Sequence, residues 1–136
     1  MAIDLTSLIN AVARLEEGQA RYLTDVSDRQ IRDGLIQRFE FTYDLSHKML
    51  KRILAESSGT AETIEQMSFP ALIRTASAQG LLLSEWAQWK LYRDDRNITS
   101  HTYDEEKALK VAAGIPAFLA EARFLRDRLL DRTGAA

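Results

Sequence analysis

The chain of 136 residues carries 18 Lys and Arg against 20 Asp and Glu, a formal net charge of -2, and no cysteine. Disulfides, thiolate metal sites and cysteine nucleophiles are therefore excluded, and bulk attraction to nucleic acid or an anionic membrane is disfavoured. With 46% apolar and 28% charged residues, the composition predicts one globular domain over residues 1–136 that buries roughly two-thirds of its unfolded surface. The opening Met1-Ala2-Ile3-Asp4 lacks the basic and apolar regions of a secretory signal. The uncharged stretch from Val111 to Ala120 is too short to span a bilayer. A soluble cytoplasmic protein without membrane contact is expected.

In chain order, Leu5, Leu8, Ile9, Val12, Leu15, Tyr22 and Leu23 recur mostly at three- and four-residue steps. That spacing predicts a helix from about Asp4 to Thr24. Ser27-Asp28-Arg29-Gln30 fits a capping box for a long second helix, which Ile31, Leu35, Phe39, Leu50, Ile53 and Leu54 carry to about Ala55. Ser57-Ser58-Gly59-Thr60 reads as a turn. Ser68 followed by Pro70 predicts the cap and first turn of a third helix, closed by Gly80. Leu82, Leu83, Trp86, Trp89, Leu91 and Tyr92 then suggest a helical run to about Asp94.

The segment from Arg93 to Tyr103 breaks the pattern, and Thr102-Tyr103-Asp104-Glu105 is a second capping box, opening a helix from Tyr103 to Ala113. Gly114 and Pro116 predict a stop and restart before a last amphipathic stretch through Leu130. No segment alternates strictly between apolar and polar residues. The expected class is all-α, an up-and-down bundle of four to five helices.

The chain has two histidines. His47 lies mid-helix beside Tyr43, Asp44 and Lys51 and reads as a half-buried bundle residue paired with an acid. Neither His-x-x-x-His nor Glu-x-x-His occurs, so no metal or other cofactor is expected. His101 stands in Arg96-Asn97-Ile98-Thr99-Ser100-His101-Thr102-Tyr103, a segment rich in donors, with one group that titrates near neutrality. If Thr102 caps the next helix, His101 precedes the cap, where backbone N–H groups help hold a phosphate oxygen. Arg96 adds a cationic fork. On an unbroken helix the five-residue step rotates Arg96 and His101 about 140° apart, so a joint site needs a bend or a second chain. The alternative is a polar loop in which Arg96 pairs with an acid and His101 satisfies a carbonyl.

Between Glu85 and Lys107 acids outnumber bases, whereas Arg29 to Arg52 is basic and reads as either a solvated face or a guide for a phosphate backbone. Trp86, Trp89 and Tyr92 at i, i+3 and i+6 fit core packing better than a base-stacking platform. No nucleophile-elbow or phosphate-loop glycine pattern occurs.

The run from Arg96 to Tyr103 matches the Arg-x4-His-x-Tyr signature of the HEPN superfamily. Phe69-Pro70-Ala71-Leu72-Ile73-Arg74-Thr75-Ala76, Gly80-Leu81, Trp86 and Arg38-Phe39-Glu40-Phe41-Thr42-Tyr43-Asp44-Leu45 extend the likeness over nearly the whole chain. Together they resemble the superfamily's nucleotidyltransferase-associated group, the HepT-like toxins and nucleotidyltransferase substrate-binding proteins.

The resemblance implies a helical bundle that forms a symmetric homodimer with the Arg/His loops of both chains near one cleft. It implies a metal-independent endoribonuclease toxin of a toxin–antitoxin pair, with RNA as substrate and a minimal nucleotidyltransferase as antitoxin. On that reading His101 is the general base or acid and Arg96 stabilises the phosphorane. Asn97 and Ser100 position the loop or substrate, and Tyr103 resembles the tyrosine that the partner enzyme adenylylates (AMPylation). The alternative implied by the same resemblance is a non-catalytic substrate-binding subunit that docks onto a separate nucleotidyltransferase.

Overall fold

The computed structural model describes residues 3–58 and 61–133, and among them the chain is helical with no strand. In chain order it forms α1 (Thr6–Thr24), α2 (Arg29–Ser58), α3 (Ala61–Gln66), α4 (Phe69–Ala78), α5 (Trp86–Asn97), a 3-10 turn (Thr99–His101) and α6 (Glu105–Thr133). Helix α1 buries Leu8, Val12, Leu15 and Tyr22 of the predicted stripe together with Ala11 and Gly18, whereas Leu23, counted in that stripe, is exposed. It packs on α2 and α6, while α4 and α5 close the bundle against α2 and α6.

The core is aromatic at its centre. Phe118 of α6 meets Phe39 at 5.0 Å and Tyr92 at 5.2 Å, and Trp89 meets Tyr92 at 5.2 Å, all edge-on. This geometry sets the positive edge of one ring against the negative face of the next. Trp89 and Tyr92 are thus core residues, as the sequence predicts, but Trp86 at the start of α5 is only half-buried.

Several boundaries differ from those expected. Helix α2 is capped by Asp28, whose Oδ1 accepts the Ile31 N–H at 3.0 Å, while the Ser27 hydroxyl donates to Asp25. Helix α2 runs on through Ser57 and Ser58 of the predicted turn, and an unpredicted short helix α3, anchored by buried Ile64, precedes the Ser68 cap. Gly59 and Thr60 of that turn lie outside the described residues. Ser68 caps α4 as predicted, accepting the Ala71 N–H at 3.3 Å, and Gly80 takes φ +76°, the left-handed value that favours glycine. Helix α5 begins at Trp86. Leu81 and Leu82 are buried from the preceding loop, which is held where Glu121 accepts the Leu83 N–H at 2.7 Å and the Ser84 N–H at 3.3 Å.

The predicted stop at Gly114 and Pro116 does not occur. Helix α6 runs through both residues. A mid-helix proline forfeits one backbone hydrogen bond and costs about 3 kcal/mol or more. Here Ala108, Val111, Ala112 and Ile115 before it and Phe118, Leu119, Ala122, Leu125 and Leu129 after it are all buried on the same helix, and that shared burial outweighs the local cost. Gly114 serves close packing, since a Cβ there would collide with the Asp95 carboxylate.

Candidate functional site

The predicted break from Arg93 to Tyr103 is shorter in the structure, because α5 continues through Asn97 before a compact junction with α6. Asn97 ends α5, and the His101 N–H then bonds the Ile98 carbonyl at 3.0 Å in the 3-10 turn. Buried Thr99 holds the turn in place. Its hydroxyl lies 2.7 Å from Glu40 Oε2 and 2.9 Å from the Arg96 carbonyl, and it accepts from Arg96 Nη1 at 3.1 Å. The Thr102 hydroxyl donates to the Thr99 carbonyl at 3.0 Å. Thr102 therefore does not cap α6. That role falls to Asp104, whose Oδ1 accepts the Lys107 N–H at 3.2 Å. His101 consequently sits three residues before the cap, on the 3-10 turn, rather than immediately before it.

Arg96 is the fixed element of the junction. Its Nε donates to Asp44 Oδ1 at 2.9 Å and its Nη2 to Asp44 Oδ2 at 3.1 Å, and Glu40 Oε2 lies 3.7 Å from Nη1. Hydrogen bonding to Asp44, followed by the charges of Asp44 and Glu40, raises the Arg96 pKa above its usual range. A guanidinium has five N–H groups, and the bonds to Asp44 and Thr99 leave part of the fork free on a side chain that is 30% exposed.

The other predicted residues face solvent. His101, Asn97 and Ser100 are exposed, and the His101 ring lies 6.3 Å from the ring of Tyr103, which is 88% exposed. Among the described residues no hydrogen bond joins Arg96 to His101 directly, although both belong to the same junction. The expected acid partner of Arg96 is Asp44, but the sequence did not assign it that role, nor Glu40 and Thr99 theirs. Glu40 and Asp44 stand four residues apart on α2 and so share a face, but nothing in the sequence says which cation they meet on α5.

Part of the acidic run after Tyr103 is neutralised. Glu105 takes a bidentate pair from buried Arg32, at 2.8 and 2.7 Å, with Arg29 at 3.6 Å, and the Arg32 bonds hold its carboxyl below the usual carboxylate range. The basic run from Arg29 to Arg52 is likewise dispersed. Arg32 turns inward to Glu105, Arg38 reaches the Arg14 carbonyl, and Lys51 pairs with Glu65. His47 packs edge-on against Phe69 at 4.7 Å, while its neighbour Asp44 is committed to Arg96. Among the described residues, no group of three or more His, Asp or Glu side chains is arranged to hold a metal ion, and no helix is long and apolar enough to cross a membrane.

Comparison with known proteins places the chain in a family. The model of the family described as nucleotidyltransferase substrate binding protein like matches residues 3–131. The chain belongs to that family. Among its relatives, a Haemophilus influenzae protein named probable ribonuclease HepT is 46% identical over 99 residues, which is 73% of this chain and 67% of the relative.

A solved H. influenzae structure, described as revealing the fold of a substrate binding domain of a nucleotidyltransferase, superposes with a TM-score of 0.85 at 38% identity. It covers 93% of this chain and 98% of that one. A crystal structure from Thermus thermophilus superposes with a TM-score of 0.66 at 32% identity, again over 93% and 98% of the two chains. The all-helical fold of the nucleotidyltransferase substrate-binding family is therefore the fold of this chain, as the Arg-x4-His-x-Tyr signature led us to expect. The names of the relatives divide between a ribonuclease and a substrate-binding domain.

Proposed function

We propose that this protein is a metal-independent endoribonuclease of the HEPN type, the toxin of a pair in which a minimal nucleotidyltransferase is the antitoxin. The observation that carries this reading is the junction itself. Asp44 locks Arg96 in one orientation with part of its fork open, and an exposed His101 follows in the next turn. Cleavage then needs these groups, the RNA and a proton donor for the leaving oxygen. His101 accepts the proton of a ribose 2′-OH as that oxygen attacks the adjacent phosphorus. The P–O5′ bond breaks, the leaving 5′ oxygen takes up a proton, and the products are a 2′,3′-cyclic phosphate and a 5′-OH. Arg96 stabilises the charge gathering on the non-bridging oxygens. Asn97 and Ser100, exposed beside them, position the substrate. A symmetric homodimer supplies a second His101, so that one accepts a proton while the other donates.

Tyr103 fits the regulatory role. At 88% exposure it is open to an adenylylating partner, and a bulky anionic adduct beside His101 repels and occludes RNA. The second reading, a non-catalytic subunit presenting substrate to a nucleotidyltransferase, is favoured by the description of the H. influenzae structure.

Incubation of purified protein with mixed small RNAs in chelator, beside His101→Ala and Arg96→Ala, separates the two. The nuclease reading expects 2′,3′-cyclic phosphate ends from the wild type and a loss of about 10²- to 10⁴-fold in rate without His101. No cleavage by wild-type protein with Tyr103 shown free by mass spectrometry selects the binding subunit.

A further inference from the structure

Helix α5 carries a second feature on the side of Arg96 away from His101. Trp86 and Arg93, seven residues apart, fall on one stripe of the helix. The Arg93 guanidinium lies over the Trp86 ring, 5.0 Å from its centroid, and 5.8 Å from that of Phe69. Phe69 and Trp86 meet edge-on at 5.7 Å. Both aromatic rings and Arg93 are half-buried, so together they form a ledge rather than part of the core. Beside the ledge is a cavity of about 530 Å³ whose lining includes Arg74, Ser77, Glu85 and Trp86.

The arginines of this ledge differ from those that brace the bundle. Arg32, Arg96 and Arg123 are each held by a carboxylate at 2.7 to 2.9 Å. Among the described residues neither Arg93 nor Arg74 has a carboxylate within 4.0 Å, although Glu85 lines the same cavity as Arg74 and Asp94 follows Arg93 in sequence. Asp94 is turned to Lys90 at 3.5 Å. Two guanidinium groups beside half-exposed aromatic rings are thus left without internal counter-ions.

We propose that this ledge is a stacking subsite for single-stranded RNA, a few nucleotides along the strand from the bond cleaved at Arg96 and His101. The proposal rests on the ribonuclease reading for what lies at the other end of the strand. Trp86 and Arg96 stand about 15 Å apart along the α5 axis, so one strand lying on the helix reaches both. A base stacks on the exposed part of the Trp86 and Phe69 rings or on the Arg93 plane, because every base presents a π-face. Arg74 and Arg93 meet the phosphates on either side. Such a subsite selects unpaired RNA, since bases in an A-form duplex are stacked and unavailable. It is tolerant of sequence, because stacking reads no hydrogen-bonding edge.

Trp86 also supplies the measurement. Of the two tryptophans, Trp89 is fully buried, so quenching by a ligand reports mainly on Trp86. The His101→Ala protein, which does not consume its ligand, is titrated with a short oligoadenylate and with a duplex RNA of equal length. The expected result is quenching by the single strand at lower concentration than by the duplex. Trp86→Phe abolishes the quenching signal, and binding of end-labelled RNA weakens about fivefold to a hundredfold in Trp86→Ala and Arg93→Ala. Arg74→Ala, an exposed substitution, weakens binding less.

Melting curves of every variant show whether the fold is kept, and the Arg93 and Arg74 variants carry the test if Trp86→Ala unfolds. Affinity unchanged in folded Arg93→Ala and, where it folds, in Trp86→Ala, or no binding of the single strand, overturns the proposal. Cleavage is scored separately in His101-containing protein. A chain that binds at the ledge without cleaving keeps the subsite and loses the nuclease, and one that cleaves while binding equally well without Arg93 keeps the nuclease and loses the subsite.

Discussion

Asp44, in the middle of α2, holds Arg96 at the end of α5, 52 positions further along the sequence, through two parallel bonds of 2.9 and 3.1 Å. This pair fixes the direction in which the guanidinium points, and the Thr99 hydroxyl between Arg96 and Glu40 extends the constraint to the 3-10 turn that ends in His101.

Asp44→Asn keeps the volume and removes the charge, so Arg96 loses its charge-assisted anchor while the bundle stays intact. Both side chains are substantially exposed, at 30% and 47%, and stability should change by no more than about 1 kcal/mol. RNA cleavage should fall about tenfold or more, because misplacing a positioned group costs far more in rate than in stability. In Asp44→Asn with Arg96→Ala the loss should equal that of Arg96→Ala alone, a coupling that a double-mutant cycle on kcat/KM measures. Additive losses would show that Asp44 acts independently of Arg96.

Gly114→Ala tests why α6 is continuous. In an exposed helix interior the change would stabilise by about 1 kcal/mol through helix propensity. Here the new Cβ meets the Asp95 carboxylate, which Lys110 pins at 2.7 Å. The expected sign is therefore reversed, with a net loss of about 1 to 3 kcal/mol in urea unfolding. Combining it with Asp95→Ala should recover most of that loss by removing the colliding group.

His47 gives the fold a pH dependence. Burial against Phe69, and then the charge of Lys51, lowers its pKa, with Asp44 acting in the opposite direction. A folded pKa below the unfolded value of about 6.5 means that the unfolded chain binds the proton first as pH falls. The contribution of neutral His47 is thus complete above that pH and is lost on acidification towards the folded pKa, with a slope of at most about 1.4 kcal/mol per pH unit. Denaturant midpoints of wild type and His47→Gln should converge as pH drops from 7 to 5. Parallel curves would show that other groups carry the acid sensitivity.

How much of this was legible in the sequence depended on the range of the interaction. The stripe of α1, the Ser68 cap and the left-handed Gly80 follow from spacing and turn chemistry within a few residues, and all were readable. Capping misled where two acceptors competed. Ser27 and Thr102 fit the pattern, but Asp28 and Asp104 accept the N–H groups, while the two hydroxyls donate to Asp25 and to the Thr99 carbonyl. The stop at Gly114 and Pro116 failed because buried residues on both sides of Pro116 favour an unbroken helix. Arg96 and His101 were visible as a motif, whereas Asp44, Glu40 and Thr99 became site residues only once α2 was packed beside α5. The tryptophan spacing was likewise ambiguous until the bundle buried Trp89 and left Trp86 at its edge.

Glu121 is a buried polar anchor of the bundle. It is fully buried, accepts the Leu83 and Ser84 N–H groups, and lies 3.3 Å from the Tyr92 hydroxyl. These bonds hold the loop that buries Leu81 and Leu82 and sets the start of α5. Glu121→Ala removes the acceptor for two backbone donors and leaves a cavity, so unfolding free energy should fall by about 3 to 5 kcal/mol. Glu121→Gln keeps one oxygen acceptor and most of the volume, and should cost about 1 to 3 kcal/mol. The loss also moves the site, since α5 carries Trp86, Arg93 and Arg96 on one rigid element. Hydrogen exchange should therefore show faster opening of the Leu83 and Ser84 amides in Glu121→Gln than in wild type, ahead of global unfolding. Unchanged protection of those two amides would mean that the loop is held by the burial of Leu81 and Leu82 alone, and that the carboxylate does not set the position of α5.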